Sequence, residues 1–176
     1  VLALLLGVVL PFDSSAQTNR LAQKRSMGSS IQSRGGGGGA WPMDILHQFI
    51  ELDLTLGDII KGHCTIKAVP RQAGSDQFPL HLKALTVDSV SSPEGPLSFA
   101  QAGDDLTITL STPLGLTDTA VFTVHYGGDP IIDPSGFGGF YTLGPVTYNL
   151  GVAFTHQPHS YGRAWFPCVD NFIERN

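Results

Sequence analysis

The chain reads as an all-β protein, a sandwich or a curved antiparallel sheet, on three observations. Gly and Pro supply 21 and 12 of its 176 residues and fall between short apolar runs without a collagen-like period. Those runs are rich in β-branched residues and alternate with period two. Turn signals separate them at the spacing of antiparallel strands. With 41% apolar and 14% charged residues, a chain of this length holds one core, hence one domain plus flanking segments.

The first well-specified unit is a hairpin. Asp44 to Leu56 (DILHQFIELDLTL) has strand composition and runs into the Gly57-Asp58 turn. In its partner, Ile59 to Val69, Ile60, Gly62, Cys64, Ile66 and Ala68 share one face, and Lys61, His63, Thr65 and Lys67 the other. Pro70 to Phe78 reads as a polar loop. Leu80 to Ser89 then alternates in both phases, so either Leu80/Leu82 or Leu85/Val87 faces the core. After a turn over Ser91 to Gly95, Leu97 to Phe99 and Leu106 to Leu110 form a hairpin about Gly103-Asp104-Asp105, with Leu106, Ile108 and Leu110 inward. A loop over Pro113 to Asp118 leads to a strand over Thr119 to Tyr126, and Val146 to Phe154 is the last strand. Between them, Phe137-Gly138-Gly139-Phe140-Tyr141 alternates aromatics with glycines, as where backbones approach closely.

The flanks read differently. Val1 to Leu10 is entirely apolar or Gly, and Pro11 to Ala16 ends in small residues, the pattern of an export signal cut near Ala16. Ten residues are too few to span a bilayer as a helix, which takes about 20. With neither Met nor a basic stretch before it, residues 1–16 are expected to be a partial signal. Residues 17–40 are polar and then pure glycine over Gly35 to Gly39, a flexible linker; no helix signal or Lys follows that would make the glycines a phosphate cradle. The expected organisation is therefore signal (1–16), linker (17–40) and β domain (41–176), with export to the periplasm or the cell exterior.

A net charge of −5 without a basic block argues against a nucleic-acid partner. Cys64 and Cys168 form no CxxC and no zinc spacing; export permits a disulfide, but each sits in its own apolar context, which favours two separate thiols. His156 and His159 stand at HxxH spacing without a third ligand nearby, and Pro158 excludes an ordinary helix, so a loop role outweighs a metal site. Arg163 is placed to pair structurally with a carboxylate such as Asp170. Glu51 and Asp53, two apart on one strand, read as a solvent-facing pair rather than a glycosidase dyad. Trp165 and Phe166 read as core.

Phe166-Pro167-Cys168-Val169-Asp170, with Arg163 upstream, resembles the FPCxDEP segment in the N-terminal domain of M1-family zinc aminopeptidases. Ile50-Glu51-Leu52-Asp53-Leu54 followed by Ile60-Lys61-Gly62 is similar to that domain's opening hairpin. Val124-His125-Tyr126-Gly127-Gly128-Asp129-Pro130 resembles a later strand end. Tyr148 to Val152 and Pro158 to Arg163 look most like an exported bacterial branch. The resemblance runs in order from about Asp44 to the end of the chain.

The resemblance implies an antiparallel, saddle-shaped, sandwich-like β domain, short of its C-terminal strands. Such a domain packs on a thermolysin-like catalytic domain and helps to close a peptide-binding cleft. In the family the zinc is held by an HExxH helix and a downstream Glu. None of the six histidines here precedes a Glu, so this chain is expected to hold no cofactor and to be inactive alone, with zinc in the absent catalytic domain. The family's N-terminal domain lends a Gln to the peptide's amino group; counting back from Cys168, that position falls on His156, with Gln157 beside it, and these are the candidate substrate-binding residues. Asp170-Asn171-Phe172 departs from the family's Asp-Glu-Pro. The alternative is a free-standing secreted β-sandwich module that binds carbohydrate or protein.

Overall fold

The computed structural model describes residues 41–157 and 159–170. The expected signal (1–16) and linker (17–40) lie outside the described residues, as do Pro158 and residues 171–176.

Among the described residues nine strands follow one another: β1 (Met43–Leu56), β2 (Ile59–Pro70), β3 (Ser75–His81), β4 (Thr86–Ser92), β5 (Gly95–Ala102), β6 (Asp105–Leu114), β7 (Ala120–Gly128), β8 (Gly138–Leu143) and β9 (Val146–Ala153). A 3-10 turn spans Gly162–Ala164. The first seven strands form one antiparallel sheet in the order β1-β2-β7-β4-β5-β6-β3, curled into a half-barrel. β8 and β9 form a separate two-stranded sheet, with single bridges from Gly139 to Ile132 and from Val152 to Ser160. Of the two arrangements the strand spacing allows, the curved sheet is the one formed.

Alternation fills the concave side. Ile60, Cys64, Ile66 and Ala68 of β2 and Ala120, Phe122, Val124 and Tyr126 of β7 are all buried. The opposite face of β2 stays at least partly in water, with Lys61 and Lys67 exposed. Across the sheet, Phe78 of β3 meets Phe122 edge to face at 5.7 Å. Trp165 and Phe166 only pack against this core, half-buried.

The ambiguous run from Leu80 resolves because it is two strands, not one. Phe78, Leu80 and Leu82 are buried, and so are Leu85 and Val87. A continuous strand would turn one of these sets outward. The phase changes at Ala84, whose φ of 60° puts it in the left-handed region. It changes again at a register shift between Val87 and Ser89, which returns Val90 to the core. The loop expected over Pro70 to Phe78 is correspondingly shorter, because β3 already begins at Ser75.

β1 and β3 are the two edges of the half-barrel, and the segment 166–170 lies against both. His81 N donates to Cys168 O at 2.7 Å and Cys168 N to His81 O at 3.1 Å, a strand-like bridge on the β3 edge. From β1, Gln48 Nε2 donates to Pro167 O at 2.9 Å. The FPCVD segment thus covers part of the backbone that the β3 edge would otherwise present.

Candidate functional site: the loop after β9

The site is assembled by the β8–β9 hairpin, and that hairpin depends on two glycines. Gly138 and Gly139 have φ of 117° and 100°. A Cβ on Gly138 would lie 1.8 Å from Val152 O, and one on Gly139 2.4 Å from Ile131 O. Only glycine lets β8 approach β9 on one side and the 131–133 segment on the other. Phe140 N donates to Ile131 O at 3.3 Å and Asp133 N to Gly138 O at 3.0 Å, which brings Asp133 beneath the end of β9.

Asp133 is the polar centre of this region, with its side chain fully out of water. It accepts from the Ser135 hydroxyl and backbone N–H, from the backbone N–H groups of Phe154 and Thr155, from the Thr155 hydroxyl, and from His156 Nδ1 at 2.8 Å. Burial works against its charge. The hydrogen bonds from Ser135, Thr155 and His156 outweigh that penalty and hold the carboxyl well below its ordinary value.

An ionised carboxylate only accepts, so His156 Nδ1 carries the proton in this pair. In the neutral ring the other nitrogen, Nε2, is then a bare acceptor. Nε2 makes no hydrogen bond among the described residues. The ring lies 5.0 Å from that of buried Tyr161, and the side chain is 26% exposed.

Gln157 and His159 are turned elsewhere. His159 Nδ1 donates to Ala153 O at 2.9 Å, and Gln157 Nε2 lies 2.9 Å from His159 Nε2. The two histidines of HxxH therefore serve different partners. Among the described residues no three His, Cys, Asp or Glu side chains are grouped to hold a metal ion. The Ser135 and Thr155 hydroxyls bond Asp133, not His156 Nε2. A Ser-His-Asp nucleophile needs the reverse arrangement, with the hydroxyl on the ring nitrogen that the carboxylate leaves free.

The remaining candidates are structural. Arg163 Nη1 donates to Asp170 Oδ2 at 2.8 Å inside the fold, the pairing that their spacing suggested. Glu51 accepts from His63 Nε2 at 2.7 Å on the exposed face of the sheet, and Asp53 accepts from Thr55. Cys64 and Cys168 are both buried, free thiols. A cleft lined in part by Leu97, Leu110, Leu114 and Val121 shares no residue with the loop after β9. No role is assigned to Asp133 from the sequence alone. Asp133-Pro134-Ser135-Gly136 does carry a turn signal, since an Asp two residues before a Ser accepts from its backbone. Nothing in the sequence ties that turn to Thr155 and His156 more than twenty residues on.

No protein-family model matches the chain, and no curated protein matches it. Solved structures do. An M1 zinc metallopeptidase from Deinococcus radiodurans is 22% identical with a TM-score of 0.61, over 80% of this chain and 31% of that one. A mutant of a Deinococcus radiodurans M1 zinc metallopeptidase, bound to a Tyr-Ser-Ala substrate, aligns at 22% identity and a TM-score of 0.61 over 73% of this chain and 29% of that one. A two-domain M1 zinc metallopeptidase mutant bound to L-tryptophan aligns at 21% identity, again with a TM-score of 0.61. At these identities the likeness is one of fold. The chain spans less than a third of the length of each of these structures.

Proposed function

We propose that the chain is the non-catalytic N-terminal domain of an exported zinc metallo-aminopeptidase, shaping one wall of the cleft that receives a peptide's N-terminus. The observation that carries this reading is the fold likeness to M1 zinc metallopeptidases over 73–80% of the chain. The order of the FPCVD, hairpin and Tyr-Gly-Gly-Asp-Pro segments agrees with it. The zinc and its general base belong, on this reading, to a following catalytic domain of the same polypeptide. This domain supplies binding: His156 offers an acceptor to the substrate's amino group, and Gln157 braces the loop through His159.

The β8–β9 hairpin supports docking of that catalytic domain. Leu143 and Phe154 are 72% and 62% exposed, and Val146, Tyr148, Leu150 and Val152, alternate residues of β9, are exposed as well. A continuous apolar strand face of this kind is suited to cover by another part of the polypeptide.

The test is made on the complete coding sequence. The expected result is an in-frame HExxH with a downstream Glu and a protein that releases N-terminal residues from peptides, loses that activity to a chelator and regains it with zinc. His156→Ala is expected to raise KM more than it lowers kcat. A complete protein without such a motif and without aminopeptidase activity overturns the reading.

A further inference from the structure

We propose that Asp133 is a positioning residue that fixes the His156 ring with Nδ1 as donor, so that Nε2 is presented as a hydrogen-bond acceptor for a primary ammonium group. The inference rests on the reading above for the identity of the ammonium as a peptide N-terminus, and on this chain's own geometry for the rest.

Three observations carry it. Asp133 is fully buried yet bonds His156 Nδ1 at 2.8 Å, so the ring is held by a group that is itself immobilised by five other donors. Tyr161, with no exposed surface, lies against the ring at 5.0 Å and limits its rotation. Nδ1 holds the ring's hydrogen bonds, Nε2 makes none among the described residues, and the side chain is 26% exposed.

The chemistry selects the ligand. When the ring is neutral, the carboxylate and the imidazole together carry one negative charge, and Nε2 accepts but does not donate. A primary ammonium, positively charged and donor-only, complements both features. An anion or a carbonyl group is disfavoured by both. A glutamine in the same place would present a neutral acceptor without any helper. A histidine does so only if its tautomer is set, and setting the tautomer is the task assigned to Asp133.

The test has two arms. In the 176-residue chain with 15N-labelled histidine, two-bond nitrogen–proton correlations are expected to show His156 as the Nδ1-protonated tautomer with a bare Nε2. In Asp133→Asn, whose amide can donate to Nδ1, the population is expected to move toward the Nε2-protonated form. A wild-type His156 protonated on Nε2 overturns the proposal, and that measurement needs no variant to fold.

In the complete protein, Asp133→Asn is expected to raise KM for a peptide about tenfold, the scale of one charge-assisted hydrogen bond, with kcat within about twofold. On a His156→Ala background, where the ring is gone and KM is already raised, Asp133→Asn is expected to add no further increase. An equal rise in KM on both backgrounds means that Asp133 acts on the fold and not through the ring, and overturns the proposal. If KM is indifferent to His156→Ala while the wild-type tautomer is as expected, the substrate assignment of His156 fails, and the ammonium acceptor role fails with it. The orientation of the ring by Asp133 then stands as a structural fact alone.

Discussion

Arg163 Nη1 donates to Asp170 Oδ2 at 2.8 Å, with the two side chains only 8% and 3% exposed. The pair joins the turn after the candidate site to the segment that lies along the β3 edge, where Asp170 N donates to His81 Nδ1 at 3.0 Å. Lys83 N also donates to Arg163 O at 2.7 Å, so the guanidinium is held from its backbone as well as its tip. A pair so enclosed is costly to break, because the surviving charge has no water to turn to. Asp170→Ala or Arg163→Met is expected to destabilise the domain by about 3–5 kcal/mol in urea unfolding. The double replacement Arg163→Met with Asp170→Leu is expected to recover most of that loss. A single variant that loses less than about 1 kcal/mol would place the pair with surface salt bridges instead.

Gly138 is the position on which the hairpin depends most. A methyl group there meets Val152 O at 1.8 Å, and φ is 117°. Gly138→Ala therefore combines a backbone clash with backbone strain, each of which the sheet can relieve only by separating β8 from β9. The expected outcome is loss of the near-ultraviolet dichroism of the Tyr141–Tyr148 stack, whose rings lie 4.9 Å apart. Gly144→Ala in the turn of the same hairpin is the control. Its φ is 58° and nothing lies within 4 Å of the added carbon, so a cost of about 1 kcal/mol with the stack retained is expected.

The contrast between β2 and the run after Phe78 shows what the sequence makes legible. In β2 the inward set Ile60, Cys64, Ile66 and Ala68 follows from period two alone, because no bulge interrupts its pairing with β7. After Phe78 the same rule stalls, since the two phase changes depend on a left-handed Ala84 and a register shift that no residue type announces. The candidate site divides the same way. His156 and Gln157 come from the family resemblance, which places the amino-group contact at a fixed count back along the chain from Cys168. Asp133 does not, because its contact with His156 exists only after the hairpin folds two distant turns together. The glycines Gly138 and Gly139 marked the close approach but not what would be brought beneath it.

Asp133 gives the fold a definite response to acid. Its folded carboxyl is held below the ordinary value of 3.8, with the hydrogen bonds from Ser135, Thr155 and His156 outweighing the opposing effect of burial. A carboxyl with a lowered folded pKa binds protons more weakly in the folded chain than in the unfolded one. Its stabilisation is therefore complete above about 3.8 and is lost as pH falls below that value toward the folded pKa. Asp53, held low by its hydrogen bonds from Thr55, acts in the same direction from an exposed position. The urea midpoint is expected to fall steeply on acidification below the ordinary carboxylate range. Asp133→Asn is expected to be less stable at neutral pH and to show a flatter acid limb. An unchanged acid limb in that variant would assign the acid response to other carboxylates.

The two thiols report on how firmly the closing segment is held. Burial pushes the Cys64 thiol up to about 12, with the Gln48 amide acting weakly the other way. Burial likewise raises Cys168 well above its ordinary value, reinforced by the charge of Asp170 and opposed by Arg163. Thiolate is the reactive form, so both side chains are expected to be inert to Ellman's reagent in the native chain and to titrate fully in concentrated guanidinium. In the native chain any labelling proceeds through opening, and the two sites open differently. Cys64 lies in the centre of β2, paired on both sides by β1 and β7. Cys168 is held to the β3 edge by two backbone hydrogen bonds with His81. At low urea Cys168 is therefore expected to label first, by local release of the 166–170 segment, and Cys64 only with global unfolding. Simultaneous labelling of both would mean that the segment leaves the edge only when the whole sheet comes apart, which would make the Arg163–Asp170 pair part of the cooperative core.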